Sequence, residues 1–308
     1  MKHVLSIADL TSKEITEILN LAKKLKSELK KKGANSPLFK NKTLVMIFEK
    51  PSLRTRLSFE IGMTQLGGHA VYLAPSDIGL GKRESIADAS KVISRMGDII
   101  MARVFSHENV REMAAHSSVP VINALSDLEH PCQSLADVMT MWEHKRYLKG
   151  LKVAFIGDGE NNVTHSLALI SGLLGMHFVT ASPKGYWMNK GIVAQAKKFA
   201  AKSGGSISET TKPEVAAKNA DVVYTDTWVS MGDEAGKEQR LKIFRPYRVT
   251  KRLMSLAKKD ALFMHDLPAY RDNEVEADVI DGPKSVVFQQ AENRLHVQKA
   301  ILVRSLQK

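Results

Sequence analysis

Short apolar runs alternate along this chain with stretches of helical periodicity, and that alternation restricts the fold more than any other feature. In the first half, "TLVMIF" (43–48), "HAVYLA" (69–74), "DIIMARV" (98–104) and "PVINA" (120–124) read as buried strands. Helices are expected over 12–31, after "SLRTR", near 84–96 and over 109–117. Strands interleaved with helices pair in parallel through right-handed crossovers, so the expected class is α/β. After a helix near 133–147, the "LKG" turn leads into "LKVAFIG" (151–157), and a second alternation begins. Its helices fall over 162–174, 190–202, 213–218 and 249–256; its strands are "HFVTAS", 206–208, "DVVYTD" (221–226) and "ALFMHD" (261–266). The expectation is two doubly wound domains, each with a mainly parallel sheet flanked by helices, and an active site in the cleft between them. The boundary should lie within 135–150, giving a first domain over 1–140, a second over 141–290, and a closing helix in 291–308 that packs back on the first. With 308 residues, 44% of them hydrophobic, the chain can fill two such cores.

Composition narrows the function classes. The longest apolar runs fall well short of the roughly 18 to 20 residues a membrane helix needs, so no membrane partner is expected. The opening "MKHVLSIADLTSKEI" lacks a signal-peptide pattern, and Thr11 with Glu14 reads as a capping box at a helix start; a cytoplasmic location is the expectation. A single cysteine, Cys132, excludes an internal disulfide and a cysteine metal cluster. The formal net charge of +12 invites nucleic acid as a partner. Yet the run "KKLKSELKKK" (23–32) carries no interleaved aromatics and reads as the solvated face of an amphipathic helix. Small anionic substrates explain the charge at least as well, and no nucleic-acid partner is expected.

Functional residues in open α/β sheets collect at the carboxyl ends of strands, where this chain places its polar motifs. In "FEKPSLRTRLSFE" (48–60), Ser52 stands where an N-cap belongs and Arg54, Thr55 and Arg56 fill the first turn, before Leu57, Phe59 and Ile61 take on a core pattern. A helix N-terminus offers unpaired N–H groups and partial positive charge, and hydroxyls and guanidiniums add directional donors, so a phosphate fits there. The plain alternative is a surface helix start with solvated arginines. Arg103 ends an apolar strand and needs an anion, whether a ligand or a carboxylate of its own domain. His130 and Gln133 in "HPCQ" supply a donor for a carbonyl oxygen and an acceptor for an amide N–H, or simply structure. "GDGENN" opens like a dinucleotide fingerprint, but position 162 is Asn and no acidic residue closes the next strand, so a nicotinamide cofactor is not expected. Asn161 and Asn162 remain as carboxylate donors or helix caps. Asp226 in "DTWVSMG" suits an ammonium, and the loop's N–H groups and hydroxyl suit a carboxylate; an Asx turn is the alternative. Arg294, at the start of the last helix, either reaches the cleft or is solvated.

Taken in order, Ser52-Leu53-Arg54-Thr55-Arg56, Arg103, "HPCQ", "DTWVSMG", "HDLP" and "ENRLHVQKA" resemble the aspartate/ornithine carbamoyltransferases over essentially the whole chain, and the Ser-Met-Gly loop resembles the ornithine branch. The resemblance implies transfer of the carbamoyl group from carbamoyl phosphate to the δ-amine of L-ornithine, giving L-citrulline and phosphate, with no metal or organic cofactor. It implies a phosphate on the helix start Ser52, Leu53, Arg54 and Thr55, with Arg103 and Arg294 completing the anion site. The carbonyl oxygen would meet Thr55, Arg103 and His130, while Gln133 and the Leu267 carbonyl, in a cis Leu267–Pro268 unit, would accept from the carbamoyl NH2. Asn162, Ser230 and Met231 would hold the α-amino-acid end of ornithine, and Asp226 an amine. It further implies a homotrimer with active sites between subunits, to which a neighbour contributes Lys82 in "GLGKRES". Two positions depart from the pattern: Asp266 stands where cysteine is usual beside the substrate's side-chain amine, and Leu53 where threonine is usual. The aspartate-specific branch fits less well, because no basic contacts for a second carboxylate accompany "DTWVSMG". Another amine acceptor (putrescine, lysine or aspartate), or a catalytically weak binding paralogue, is the alternative.

Overall fold

The computed structural model describes residues 3–80, 84–229 and 236–306. By internal contacts the chain forms two compact units, one of Met1–Met139 with Glu292–Lys308 and one of Thr140–Ala291.

In the first unit, α1 (Ser12–Lys32) starts at the reciprocal Thr11/Glu14 cap and stops at Gly33, whose φ of 72° suits a residue without a Cβ. There follow β1 (Thr43–Phe48), α2 (Leu53–Gln65), β2 (His69–Leu73), α3 (Pro75–Ile78), α4 (Ile86–Met96), β3 (Ile99–Arg103), α5 (His107–His116), β4 (Val121–Leu125) and α6 (Pro131–Lys145). The four strands pair in parallel in the order β2-β1-β3-β4. The strand order therefore reverses beside β1, which places the β1–α2 turn and the end of β3 at the switch point where such sheets bind ligands. β1 and β3 are buried along almost their whole length, as strands covered on both faces must be. Val45, Ile47, Ile100, Ala102 and Val121 pack against Ile86, Ala89, Val110 and Met113 of the covering helices.

The second unit runs β5 (Lys152–Ile156), α7 (Asn162–Leu174), β6 (His177–Ala181), α8 (Lys190–Ser203), β7 (Ser206–Thr210), α9 (Pro213–Ala217), β8 (Val222–Tyr224), α10 (Lys237–Phe244), α11 (Lys251–Ser255), β9 (Leu262–Met264) and α12 (Ala277–Ile280). The last helix, α13 (Val287–Leu306), begins in this unit and continues into the first. The parallel sheet has the order β7-β6-β5-β8-β9, so its switch point lies between β5 and β8.

Two expectations are corrected. Leu57 and Ile61 are not core: they are 47% and 41% exposed, and with Leu53 at 68% they form an i, i+4, i+8 apolar stripe on the outer face of α2, whereas Phe59 is buried. The last helix starts at Val287, so Arg294 sits two turns inside it rather than at its start. Among the described residues no helix is long and apolar enough to cross a membrane.

Candidate functional site

The first unit gathers cations around one hydroxyl. Ser52 caps α2 by accepting from the Thr55 N–H at 3.3 Å, which satisfies one of the first N–H groups of the helix within the chain. Parallel pairing sets Phe48 of β1 beside Arg103 of β3, and a register shift between Ala102 and Arg103 re-aims the strand end. Arg103, 8% exposed, donates through Nη1 to Thr55 Oγ1 at 3.4 Å. Arg294, 3% exposed, donates through Nη2 to the same oxygen at 3.0 Å and through Nη1 to Gln133 Oε1 at 2.8 Å. Gln133 in turn donates to Asp137 Oδ1 at 2.9 Å. The Gln133 carbonyl read as a ligand for a carbamoyl NH2 is thus engaged by Arg294, with its second lone pair still to offer.

His130, immediately before α6, is 2% exposed, and burial holds its pKa well below the ordinary histidine value, with Arg294, Arg103 and Arg54 pushing the same way. It is therefore a neutral imidazole among guanidiniums, able to donate one N–H without adding charge. Arg56 stands outside this group: it pairs with Glu60 at 3.0 Å and lies over the Tyr72 ring at 4.0 Å. The Leu53 side chain turns to solvent, so only the backbone N–H of that position could face a ligand at the helix start, and leucine for threonine leaves that group in place.

The second unit gathers carboxylates and amides. Asn161 caps α7, its Oδ1 accepting from the Val163 N–H at 2.7 Å while its Nδ2 donates to Asp226 Oδ2 at 2.6 Å. Asn162 is the first residue of that helix. Asp226 Oδ1 accepts from the Thr227 N–H at 2.6 Å. Just beyond β9, the Leu267–Pro268 bond is cis and Leu267 has φ 61°. Its N–H donates to His265 Nδ1 at 2.9 Å, and His265 Nε2 donates to Glu274 Oε1 at 3.2 Å, which holds the bend from behind. Ligand-type atoms of Asp226, His265 and Asp266 all lie within 4.8 Å of one another. Both His265 nitrogens engage protein groups, while each Asp226 oxygen accepts one hydrogen bond and keeps a lone pair that an ammonium could use. Gly159 in "GDGENN" has a packing reason: a Cβ there would stand 2.4 Å from the Tyr186 carbonyl oxygen.

Lys82, Ser230 and Met231 lie outside the described residues. Sequence reasoning gave Asp158, Arg240, His265 and Glu274 no role, although Asp158 lies in "GDGENN" and His265 in "HDLP".

Two family models cover the chain: the carbamoyl-P binding domain of aspartate/ornithine carbamoyltransferase matches residues 2–143, and the Asp/Orn binding domain residues 149–305. The chain belongs to the aspartate/ornithine carbamoyltransferase family. Among its relatives, the ornithine carbamoyltransferase of Pyrococcus horikoshii is 52% identical over 98% of this chain and 94% of that protein. The Pyrococcus furiosus protein named "Ornithine carbamoyltransferase, anabolic" is 52% identical over 98% of this chain and 95% of its own length. A solved structure of the ornithine carbamoyltransferase from Pyrococcus furiosus matches with a TM-score of 0.95, covering 98% of this chain and 96% of that one. One from Campylobacter jejuni, named as anabolic, matches with a TM-score of 0.93 at 43% identity, covering 99% of each chain. The carbamoyltransferase domain models and the packing differ at one point. Arg294 falls in the Asp/Orn match by sequence, yet its segment packs with the first unit and delivers the guanidinium to Thr55.

Proposed function

We propose that this protein transfers the carbamoyl group of carbamoyl phosphate to the δ-amine of L-ornithine, producing L-citrulline and phosphate. The observation that carries the reading is the convergence of the Arg103 and Arg294 guanidiniums on Thr55 at the N-terminus of α2. A phosphate placed there would meet backbone N–H groups from Leu53 onward, Ser52, and the guanidiniums of Arg54, Arg103 and Arg294. Thr55, Arg103 and neutral His130 would donate to the carbonyl oxygen as it gains negative charge. Gln133 and the Leu267 carbonyl would accept from the carbamoyl NH2. On the acceptor side, Asp226 and Asp266 would hold the amine, and Asn162, Ser230 and Met231 the α-amino-acid end. The neutral δ-amine attacks the carbamoyl carbon, the C–O bond to phosphate breaks, and the amine sheds a proton; no oxidation state changes. Catalysis is orientation plus electrostatics.

Relatives named as anabolic support the biosynthetic direction. In the proposed homotrimer a neighbour supplies Lys82 to the phosphate, a reading supported by the exposed Leu53, Leu57 and Ile61 stripe beside the seat. The decisive experiment incubates the protein with carbamoyl phosphate and, in parallel, ornithine, lysine, putrescine and aspartate, and measures ureido product. Citrulline as the dominant product is expected; product from another acceptor, or none from any, overturns the proposal.

A further inference from the structure

Arg240 lies on α10, a helix to which the family motifs assign nothing. Its guanidinium meets three kinds of partner. Nε donates to the Trp228 carbonyl oxygen at 2.7 Å, Nη2 pairs with the Asp158 carboxylate, and the group lies over the rings of Tyr186 and Phe244 at 5.1 and 5.3 Å. The Trp228 ring itself stacks on Phe244, with centroids 6.0 Å apart. Both ends of the ion pair are withdrawn from water, Arg240 at 17% and Asp158 at 9% side-chain exposure.

Asp158 and Asn161 belong to one turn, between β5 and α7, and Asp226 and Trp228 to one stem, after β8. The turn grips the stem twice: Asn161 holds the Asp226 carboxylate, and Asp158 holds Arg240, which holds Trp228. The Thr227 backbone N–H bonds Asp226 Oδ1 between these two points, so each carboxylate oxygen is tied once to its surroundings.

We infer that Arg240, anchored by Asp158, is a positioning residue for the acceptor amine, fixing the stem that aims the Asp226 carboxylate without itself touching substrate. The inference rests on the reading of Asp226 as the amine ligand. Lysine cannot reproduce the role, since an ammonium offers neither the planar face for two rings nor a fork that reaches carbonyl and carboxylate together. Loss of aim matters because a displacement of about 1 Å in a reacting pair can cost ~100-fold in rate.

The test compares wild type, Arg240→Met, Arg240→Lys and Asp158→Asn in steady-state kinetics with L-ornithine and carbamoyl phosphate, alongside thermal unfolding. Arg240→Met is expected to raise the KM for ornithine ~10-fold or more, lower kcat by a smaller factor and leave the KM for carbamoyl phosphate within about twofold. Arg240→Lys and Asp158→Asn should fall between it and wild type. An unchanged ornithine KM in Arg240→Met, or KM values for both substrates rising together with a fall in Tm, overturns the positioning role while leaving the activity in place. A wild type that turns over no acceptor overturns instead the reading beneath it, and the inference with it.

Discussion

The two functional regions are built from opposite charge. In the first unit the seat at α2 joins Arg103 and Arg294 on one threonine hydroxyl, with Arg54 near enough to act on His130. In the second, Asp226 and Asp266 bring carboxylate oxygens within 4.8 Å, with Asp158 on the neighbouring turn. Like charges held together out of water are costly, and on the proposed reading each cluster would be relieved by a ligand of the other sign, a phosphate dianion in one and an ammonium in the other. Desolvation is the largest influence in both, with the arginines reinforcing it at His130 and Arg240 opposing it at Asp158. It keeps His130 neutral in the cationic region, and pushes the Asp158 carboxyl up to about 6 although Arg240 pulls it down.

The comparison breaks first at the seat. On the proposed reading Arg103→Gln would remove a guanidinium from both the phosphate and the developing oxyanion, and kcat/KM for carbamoyl phosphate should fall on the order of 10³-fold. Steady-state rates within a few-fold of wild type would show that the cations there are structural. A smaller effect sharpens the acceptor side. If Asp266 holds the substrate amine as proposed, its carboxylate would favour the ammonium form and oppose formation of the attacking neutral amine; Asp266→Cys should then move the rate optimum toward acid by about one pH unit. Superimposable pH–rate profiles would discard that role. The smallest effect tests whether desolvation governs cations far from any ligand. Lys299 is fully buried, its Nζ donating to Asn35 Oδ1 at 2.5 Å and Gln65 Oε1 at 2.7 Å, and burial pushes its pKa down to about 8. Between that value and the lysine reference of 10.5 the unfolded chain binds more protons than the folded one, so Lys299 adds stability as pH rises through this window. Differential scanning at pH 7.5 and 9.5 should show Tm rising by ~2 °C more in wild type than in Lys299→Met. An equal change in both would refute the buried-cation assignment.

Legibility from sequence followed the range of the interactions. The strand 43–48 and the helix 162–174 could be read residue for residue, because apolar runs, caps and glycines act within a few positions. Leu57 and Ile61 misled, since an apolar residue on a helix signals burial against something without saying against what. Among site residues, Ser52, Thr55, Arg103 and His130 stood out because hydroxyls, arginines and a histidine at strand ends are chemically conspicuous. Arg240 carried no such mark: in "KEQRLKIF" it is one basic residue among several, and its partners Asp158, Tyr186 and Trp228 are scattered through the chain.

The order of strands and helices, the capped start of α2 and the chemical types gathered at strand ends were settled by the amino-acid sequence alone, because they depend on contacts between near neighbours. Which groups face one another was decided only by tertiary structure. Thr55, Arg103 and Arg294 are far apart in the chain, and only parallel register and the packing of α13 bring three side chains to one oxygen. Long-range pairing depends on how whole layers pack, and no local pattern encodes that sum.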